Sequence, residues 1–187
     1  YMAIVGQALG LIYGYEFDGI YQYSDFYSVP GSSTLILKEG VTSNPSLGNR
    51  LSPGAVKYKD QDGDGVITTK DRTVIGNALP KWYGGITNTF NYKGIDFSFM
   101  LQFNYGNDIY NATRLYATQT NTQRRNQLAE VADRWSPTNA SNKVPRYNGY
   151  VVNDVYSRFV EDGSFLRLKN ITLGYTLPHK WLSLIHI

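Results

Sequence analysis

Cysteine is absent from these 187 residues. Disulfide staples, thiolate zinc centres and thiol catalysis are therefore excluded, while the cellular compartment is left open. Histidine is nearly absent too. The two present, His179 and His186, both lie near the C-terminal end, so no Ser-His-Asp or Cys-His nucleophilic site is supported. Charge is sparse: 18% of residues are charged, and the net +3 is scattered rather than clustered into the basic face that nucleic acid binding requires. Long apolar runs are missing as well. The longest, Tyr1 to Val5, falls far short of the roughly 20 residues of a membrane-spanning helix. That exclusion does not reach β-barrels, whose strands alternate and give weak hydropathy signals. No spacing singles out a carboxylate pair for glycoside hydrolysis, and no Gly-rich loop joins a strand to a helix for phosphate binding. The chain is not expected to be an enzyme.

What is abundant is tyrosine, 16 residues, and glycine, 18. The length fits one domain or a piece of a larger one. Tyr1–Val5 has no basic n-region or cleavage site, and Leu182 to Ile187 stops inside an apolar stretch. The sequence thus reads as a fragment, with 179–187 an uncertain tail.

Period-two alternation marks the strands. Ile95, Phe97, Phe99, Leu101, Phe103 and Tyr105 fall on one face of an eleven-residue run, with Asp96, Ser98, Met100, Gln102 and Asn104 on the other. Immediately upstream, Ile86, Asn88, Phe90 and Tyr92 alternate with Thr87, Thr89 and Asn91. Lys93-Gly94 separates the two runs as a two-residue hairpin loop. That loop pairs Tyr92 with Ile95, Phe90 with Phe97, Asn88 with Phe99 and Ile86 with Leu101, a register that gathers the apolar residues on one side. A third strand is expected over 165–177. Its apolar phase breaks near its start: Arg167 and Lys169 are in phase with Ile171, whereas Leu166 and Leu168 are not. Either a bulge shifts the phase, or that end projects beyond the apolar zone. A fourth strand is expected over 8–18.

Two long polar segments, 19–81 and 106–164, connect these strands, with helical character expected only from Gln123 to Trp135. Compact soluble domains rarely carry such connections, whereas outer-membrane barrels do, on their outer side. Eleven residues at ~3.3 Å each, tilted by ~45°, span about 26 Å, close to the ~25 Å apolar band of such barrels. A soluble β-sandwich has equally apolar inner faces and is the competing architecture. In the barrel reading the short Lys93-Gly94 turn is periplasmic and both long segments are extracellular. Ile86, Phe90, Tyr92, Ile95, Phe97, Phe99, Leu101 and Phe103 then face lipid. Thr87, Thr89, Asn91, Ser98, Gln102 and Asn104 face the lumen, lining a wet interior or packing against a plug. The aromatics Tyr110, Tyr116, Trp135, Tyr147 and Tyr150 in the outer loops are candidates for stacking on sugars, or for packing contacts with neighbouring loops.

Asp60 to Asp71 has the spacing of a twelve-residue calcium loop. Asp60, Asp62 and Asp64 stand at positions 1, 3 and 5, Gly65 at 6, the Val66 carbonyl at 7, Thr68 at 9 and Asp71 at 12 in place of the usual Glu. A solvated acidic turn is the alternative, since Ala55 to Lys59 reads as extended rather than as a preceding helix.

Several strings together resemble one family. Lys57-Tyr58-Lys59-Asp60 through Ile67, Asp71-Arg72-Thr73-Val74-Ile75-Gly76-Asn77, the hairpin Asn88 to Asp96, Arg134-Trp135-Ser136-Pro137 and Ser157 to Tyr175 are similar to the SusC/RagA class of TonB-dependent outer-membrane transporters of Bacteroidetes. Tyr13 to Tyr21 is similar to the same class, and the matches are collinear over residues 6–178. The resemblance implies an all-β chain contributing about four strands of an antiparallel, 22-stranded, plugged transmembrane barrel. It further implies a multi-pass location in the outer membrane of a Gram-negative bacterium, import of oligosaccharides or peptides, a SusD-like surface lipoprotein as partner, and energy from a TonB complex acting on a part not present here. A soluble, secreted β-rich binding module with a structural calcium loop is the alternative function.

Overall fold

Two stretches of polar backbone that the sequence assigns to loops turn out to share a core. The computed structural model describes residues 5–32, 34–119 and 126–178. Among these are eleven strands: β1 Leu11–Gly14, β2 Phe17–Ile20, β3 Phe26–Ser28, β4 Leu35–Leu37, β5 Val56–Tyr58, β6 Thr73–Asn77, β7 Trp82–Tyr92, β8 Ile95–Tyr105, β9 Asp108–Tyr110, β10 Val160–Asp162 and β11 Phe165–Tyr175. The one α-helix among them, α1, covers Ala112–Thr118. The architecture is predominantly β, and no helix among the described residues is long and apolar enough to cross a membrane. The tail 179–187, with both histidines, lies outside the described residues.

The chain divides into two compact units. Unit 1 takes residues up to Ala78 together with Ile109–Glu161; unit 2 takes Leu79–Asp108 and the residues from Asp162 onward.

Unit 1 is held by short antiparallel pairs, β1 with β6, β2 with β5 and β3 with β4. The single strand expected over 8–18 is instead two, β1 and β2, in different sheets. Between them the Tyr15 N–H donates to the Val155 carbonyl (2.9 Å) and the Tyr15 carbonyl accepts from Ser157 N–H (3.0 Å). The alternation is real, but the chain changes hydrogen-bonding partner midway.

The core of unit 1 is aromatic. Tyr15 stacks on Tyr58 at 4.8 Å between centroids, and Tyr156 meets Phe159 edge-on at 5.0 Å. Tyr21, Leu47, Val56 and Ile67 from the first long segment pack with Leu115, Tyr150 and Phe159 from the second. Backbone bonds stitch the same segments together: Val56 N–H to Gly149 O at 2.6 Å, and Arg146 N–H to Gly54 O at 2.8 Å. The helical stretch expected over Gln123 to Trp135 is not found where it is described. Residues 126–128 are irregular, Ala129–Asp133 forms a 3-10 turn, and Gln123 to Arg125 lie outside the described residues. The helix lies earlier, where the Asn111 side chain caps α1 by accepting from Arg114 N–H at 2.8 Å.

Unit 2 contains one antiparallel sheet in the order β11-β8-β7. The β7–β8 register pairs Tyr92 with Ile95, Phe90 with Phe97, Asn88 with Phe99 and Ile86 with Leu101, the register that the two-residue loop dictates. Lys93 (φ 47°) and Gly94 (φ 81°) both have positive φ, the signature of a type I′ turn whose twist matches its strands. On the other side of β8 the ladder runs from Phe165–Asn104 to Leu168–Leu101, then resumes at Asn170–Met100. Lys169 is thus the extra residue of a β-bulge, and the phase break in the sequence is resolved in favour of that alternative. Every fully buried apolar side chain among the described residues belongs to unit 1.

Candidate functional site

The sheet of unit 2 separates its residues by chemistry. Following the paired positions, Ile86, Asn88, Phe90 and Tyr92 of β7 share a face with Ile95, Phe97, Phe99, Leu101 and Phe103 of β8 and with Leu166, Leu168, Ile171, Leu173 and Tyr175 of β11. Phe90, Phe97 and Phe99 form an aromatic cluster with centroids 5.9–6.4 Å apart. Thr87, Thr89 and Asn91 share the opposite face with Ser98, Gln102 and Asn104, and with Arg167, Asn170 and Thr172. The bulge decides where Arg167 goes. Without it Arg167 would fall on the apolar face; with it Arg167 pairs with Gln102.

The apolar face is bare. Phe90 is 55% exposed, Leu166 71% and Leu173 72%. A contiguous apolar surface of this kind marks a protein–protein or membrane contact, since water makes its exposure unfavourable.

The acidic loop brings together part of its expected set. Asp60, Asp62 and Asp71 each place a carboxylate oxygen within 4.8 Å of the others. Asp64 stands outside that group, its carboxylate accepting from Val66 N–H at 2.8 Å. Thr68 Oγ1 accepts from Lys70 N–H at 3.2 Å, capping the turn Thr69–Asp71. Asp60 accepts from the N–H groups of Gly63 and Gly65, both at 2.7 Å, folding the loop around its own carboxylate.

Asp71 is fully buried and accepts from Gln61 N–H (2.9 Å) and Thr68 N–H (2.7 Å). Burial pushes its carboxyl up, but the N–H groups of Thr68, Gln61 and Asp62 and the Thr68 hydroxyl outweigh burial and hold it below the usual value. Three carboxylates suit a hard cation that prefers oxygen, and Asp71 is already a fastener of the loop through these bonds. The loop is anchored from outside by Ser43, whose N–H donates to Gly65 O (2.8 Å) and whose carbonyl accepts from Ile67 N–H (2.7 Å).

An ion network that sequence reasoning missed fixes the second long segment. Arg114 on α1 makes a bidentate pair with Glu130, both bonds 2.8 Å, and reaches Glu161 at 3.1 Å; Arg158 adds a contact to Glu130 at 3.4 Å. The Arg114 guanidinium holds the Glu130 carboxyl low despite its burial. These partners lie 16 to 47 residues apart, beyond any local pattern. Of the aromatics considered for sugar stacking, Trp135 and Tyr150 are buried in unit 1, at 5% and 2% exposure, and Tyr110 packs against the core. Tyr116 and Tyr147 are exposed.

No protein-family model matches the chain. Individual relatives do. The chain is 36% identical over 177 residues, 95% of its length, to TonB-dependent receptor P3 of Formosa agariphila. It is 43% identical over 127 residues to TonB-dependent receptor P26 of the same organism, and 29% identical over 125 residues to TonB-dependent receptor SusC of Bacteroides thetaiotaomicron. These matches cover 67% and 66% of the chain. The chain spans only 16%, 13% and 12% of the length of these three relatives. With collinear identity over nearly all of its residues, this chain belongs to the TonB-dependent receptor family that includes SusC.

Proposed function

We propose that β7, β8 and β11 form part of the wall of a transmembrane β-barrel in the outer membrane of a Gram-negative bacterium. The receptor so built imports large nutrients, oligosaccharides or peptides, with a SusD-like surface lipoprotein as partner and a TonB complex as energy source. The observation that carries the reading is the bare apolar face running across three neighbouring eleven-residue strands. On it Ile86, Phe90, Tyr92, Ile95, Phe97, Phe99, Leu101 and Phe103 face lipid, while Thr87, Thr89, Asn91, Ser98, Gln102 and Asn104 face the lumen. Arg167, opposite Gln102, is lumenal too, so its charge stays off the lipid-facing side.

Among the described residues β7 and β11 end the sheet. Open edges are not viable in hydrocarbon, so the wall continues with further strands on both sides. The short Lys93-Gly94 turn is periplasmic, and the two long segments, 19–81 and 106–164, are extracellular. The relatives' identity as receptors supports this reading over a secreted calcium-loop module. Within unit 1, Asp60, Asp62 and Asp71 hold a structural calcium ion that neutralises their mutual repulsion.

Cysteine labelling in intact cells tests the barrel assignment. A membrane-impermeant thiol reagent is expected to modify Gln102→Cys and to spare Phe99→Cys in the full receptor; equal modification overturns the assignment. For calcium, the melting temperature should rise with the ion and fall with chelator, and Asp60→Asn should abolish the difference. A melting temperature indifferent to calcium removes the ion from the account.

A further inference from the structure

A cleft of about 610 Å³ opens in unit 1 beside β2, lined among others by Asp18, Gln22, Tyr23, Asp25, Lys57 and Asn142. We propose that this cleft is a saccharide subsite that takes a neutral pyranose unit of a glycan. The proposal deepens the importer reading, on which it rests for the purpose of the bound sugar, by selecting glycan over peptide as the substrate class.

The apolar wall of the cleft is Tyr23. Its ring is 53% exposed, and it leans on Trp135 with centroids 5.5 Å apart. Trp135 is itself buried and fixed, its Nε1–H donated to Gln22 Oε1 at 2.8 Å. Gln22 in turn donates from Nε2 to the carbonyls of Ile20 (3.1 Å) and Ser141 (3.3 Å). An exposed aromatic ring on a rigid support is a platform for the C–H face of a sugar ring, flat and amphipathic like its partner.

The polar wall is equally fixed. Asn142 Oδ1 accepts from Ile20 N–H at 2.8 Å, which sets the amide plane and leaves Nδ2 as its donor for a ligand. Gly19 makes room for this: a Cβ there would stand 2.6 Å from Asn142 Oδ1, and its φ of +105° is one that side chains rarely adopt. Asp25 commits Oδ2 to Gln22 N–H at 2.8 Å, so its other oxygen is the acceptor it offers. Lys57 and Asp18 face each other at 3.8 Å, too far for a direct hydrogen bond. A sugar hydroxyl, donor and acceptor at once, bridges an ammonium and a carboxylate at that separation.

Ligand charge follows from the same residues. Two carboxylates against one ammonium make the cleft net negative, which disfavours uronate and sulfate esters and favours neutral sugars. The volume lies within the ~300–1,000 Å³ of small-molecule sites, and walls already ordered before binding lose little entropy when it occurs.

The experiment is hydroxyl-radical footprinting of the purified full-length receptor, read at Tyr23 by mass spectrometry. The probes are pentasaccharides of neutral α-glucan, β-glucan, xylan, mannan and galactan, beside those of alginate and polygalacturonate. At least one neutral probe should protect Tyr23 several-fold, and no uronate probe should do so. In the variants the affinity for that neutral probe is read by isothermal titration calorimetry: Tyr23→Ala and Asn142→Asp should each weaken it about tenfold, while Tyr23→Phe retains it; Asn142→Asp keeps the Oδ1 acceptor for Ile20 N–H and removes only the donor. Protection by no neutral probe, or by uronates instead, overturns the proposal. Uptake by whole cells is scored separately. Uptake without Tyr23 protection sinks the subsite and spares the importer, whereas protection without uptake spares the subsite and sinks the importer.

Discussion

Arg167 stands directly opposite Gln102 on the polar face of the sheet, because the β11–β8 ladder skips Lys169. The bulge absorbs one residue, so Leu166 and Leu168 rejoin the face of Ile171 and Leu173 while the guanidinium leaves it. Deleting Lys169 removes the bulge and leaves a strand that alternates regularly from Leu166 to Tyr175. Deleting Leu168 also removes it but puts Lys169 in the apolar row, which in the proposed barrel wall costs about 2–4 kcal/mol at mid-depth. The expected outcome is a folded receptor for the first deletion and a much reduced folded fraction for the second, read by heat-dependent gel mobility of outer-membrane preparations. Equal yields would overturn this account of the bulge.

The Lys93-Gly94 turn pays for its tightness with two residues of positive φ. Asparagine tolerates this conformation better than lysine. Lys93→Asn should stabilise the hairpin by about 0.5–1 kcal/mol, less whatever is lost from the ammonium 5.2 Å from the Tyr92 ring. Gly94→Ala should do the reverse by about 1–2 kcal/mol, since its Cβ would also meet the Thr176 carbonyl at 3.1 Å. Urea denaturation in a lipid bilayer measures both.

Asp71 gives the acidic loop a pH dependence of definite sign. Its folded carboxyl is held below the usual value, so the folded state binds that proton more weakly than the unfolded chain does. Its stabilising contribution is therefore complete above about pH 3.9 and is lost as pH falls through the lowered folded value. Asp71→Asn should flatten this acid limb. Asp71→Ala should cost about 2 kcal/mol at neutral pH, because the Gln61 and Thr68 N–H groups lose their acceptor. Hydrogen exchange of those two amides between pH 3 and 7 is the readout.

Arg114 is a fastener that lysine cannot replace. Its bidentate grip on Glu130 needs a planar fork. Arg114→Lys should therefore lose most of the ~1–2 kcal/mol that Arg114→Ala loses. Thermal unfolding of the two variants should nearly coincide, and a lysine variant as stable as the parent would refute the bidentate role.

The hairpin was legible because its information is local. Period two fixes the faces, a two-residue loop fixes the register, and Tyr92 opposite Ile95 then propagates to every pair up to Trp82 opposite Tyr105. Spacing likewise brought Asp60, Asp62 and Asp71 together, although Asp64 turned to its own Val66. The strand expected over 8–18 failed for the opposite reason: β1 and β2 pair with β6 and β5, far along the chain. Trp135 and Tyr150, candidates for sugar stacking, are buried because residues some hundred positions away cover them, as when Arg50 Nη1 donates to Tyr150 O at 2.8 Å.

By itself the sequence determined the two faces of β7 and β8, their pairing and the family resemblance, since alternation and motif are carried by neighbouring residues. Only the tertiary structure decided that Lys169 bulges, and that two polar segments fold on one aromatic core. Only it placed Tyr23, Lys57 and Asn142 around one cleft. Those outcomes depend on contacts such as Tyr58 with Asp154, 96 residues apart, whose free energy exists only once the chain has closed.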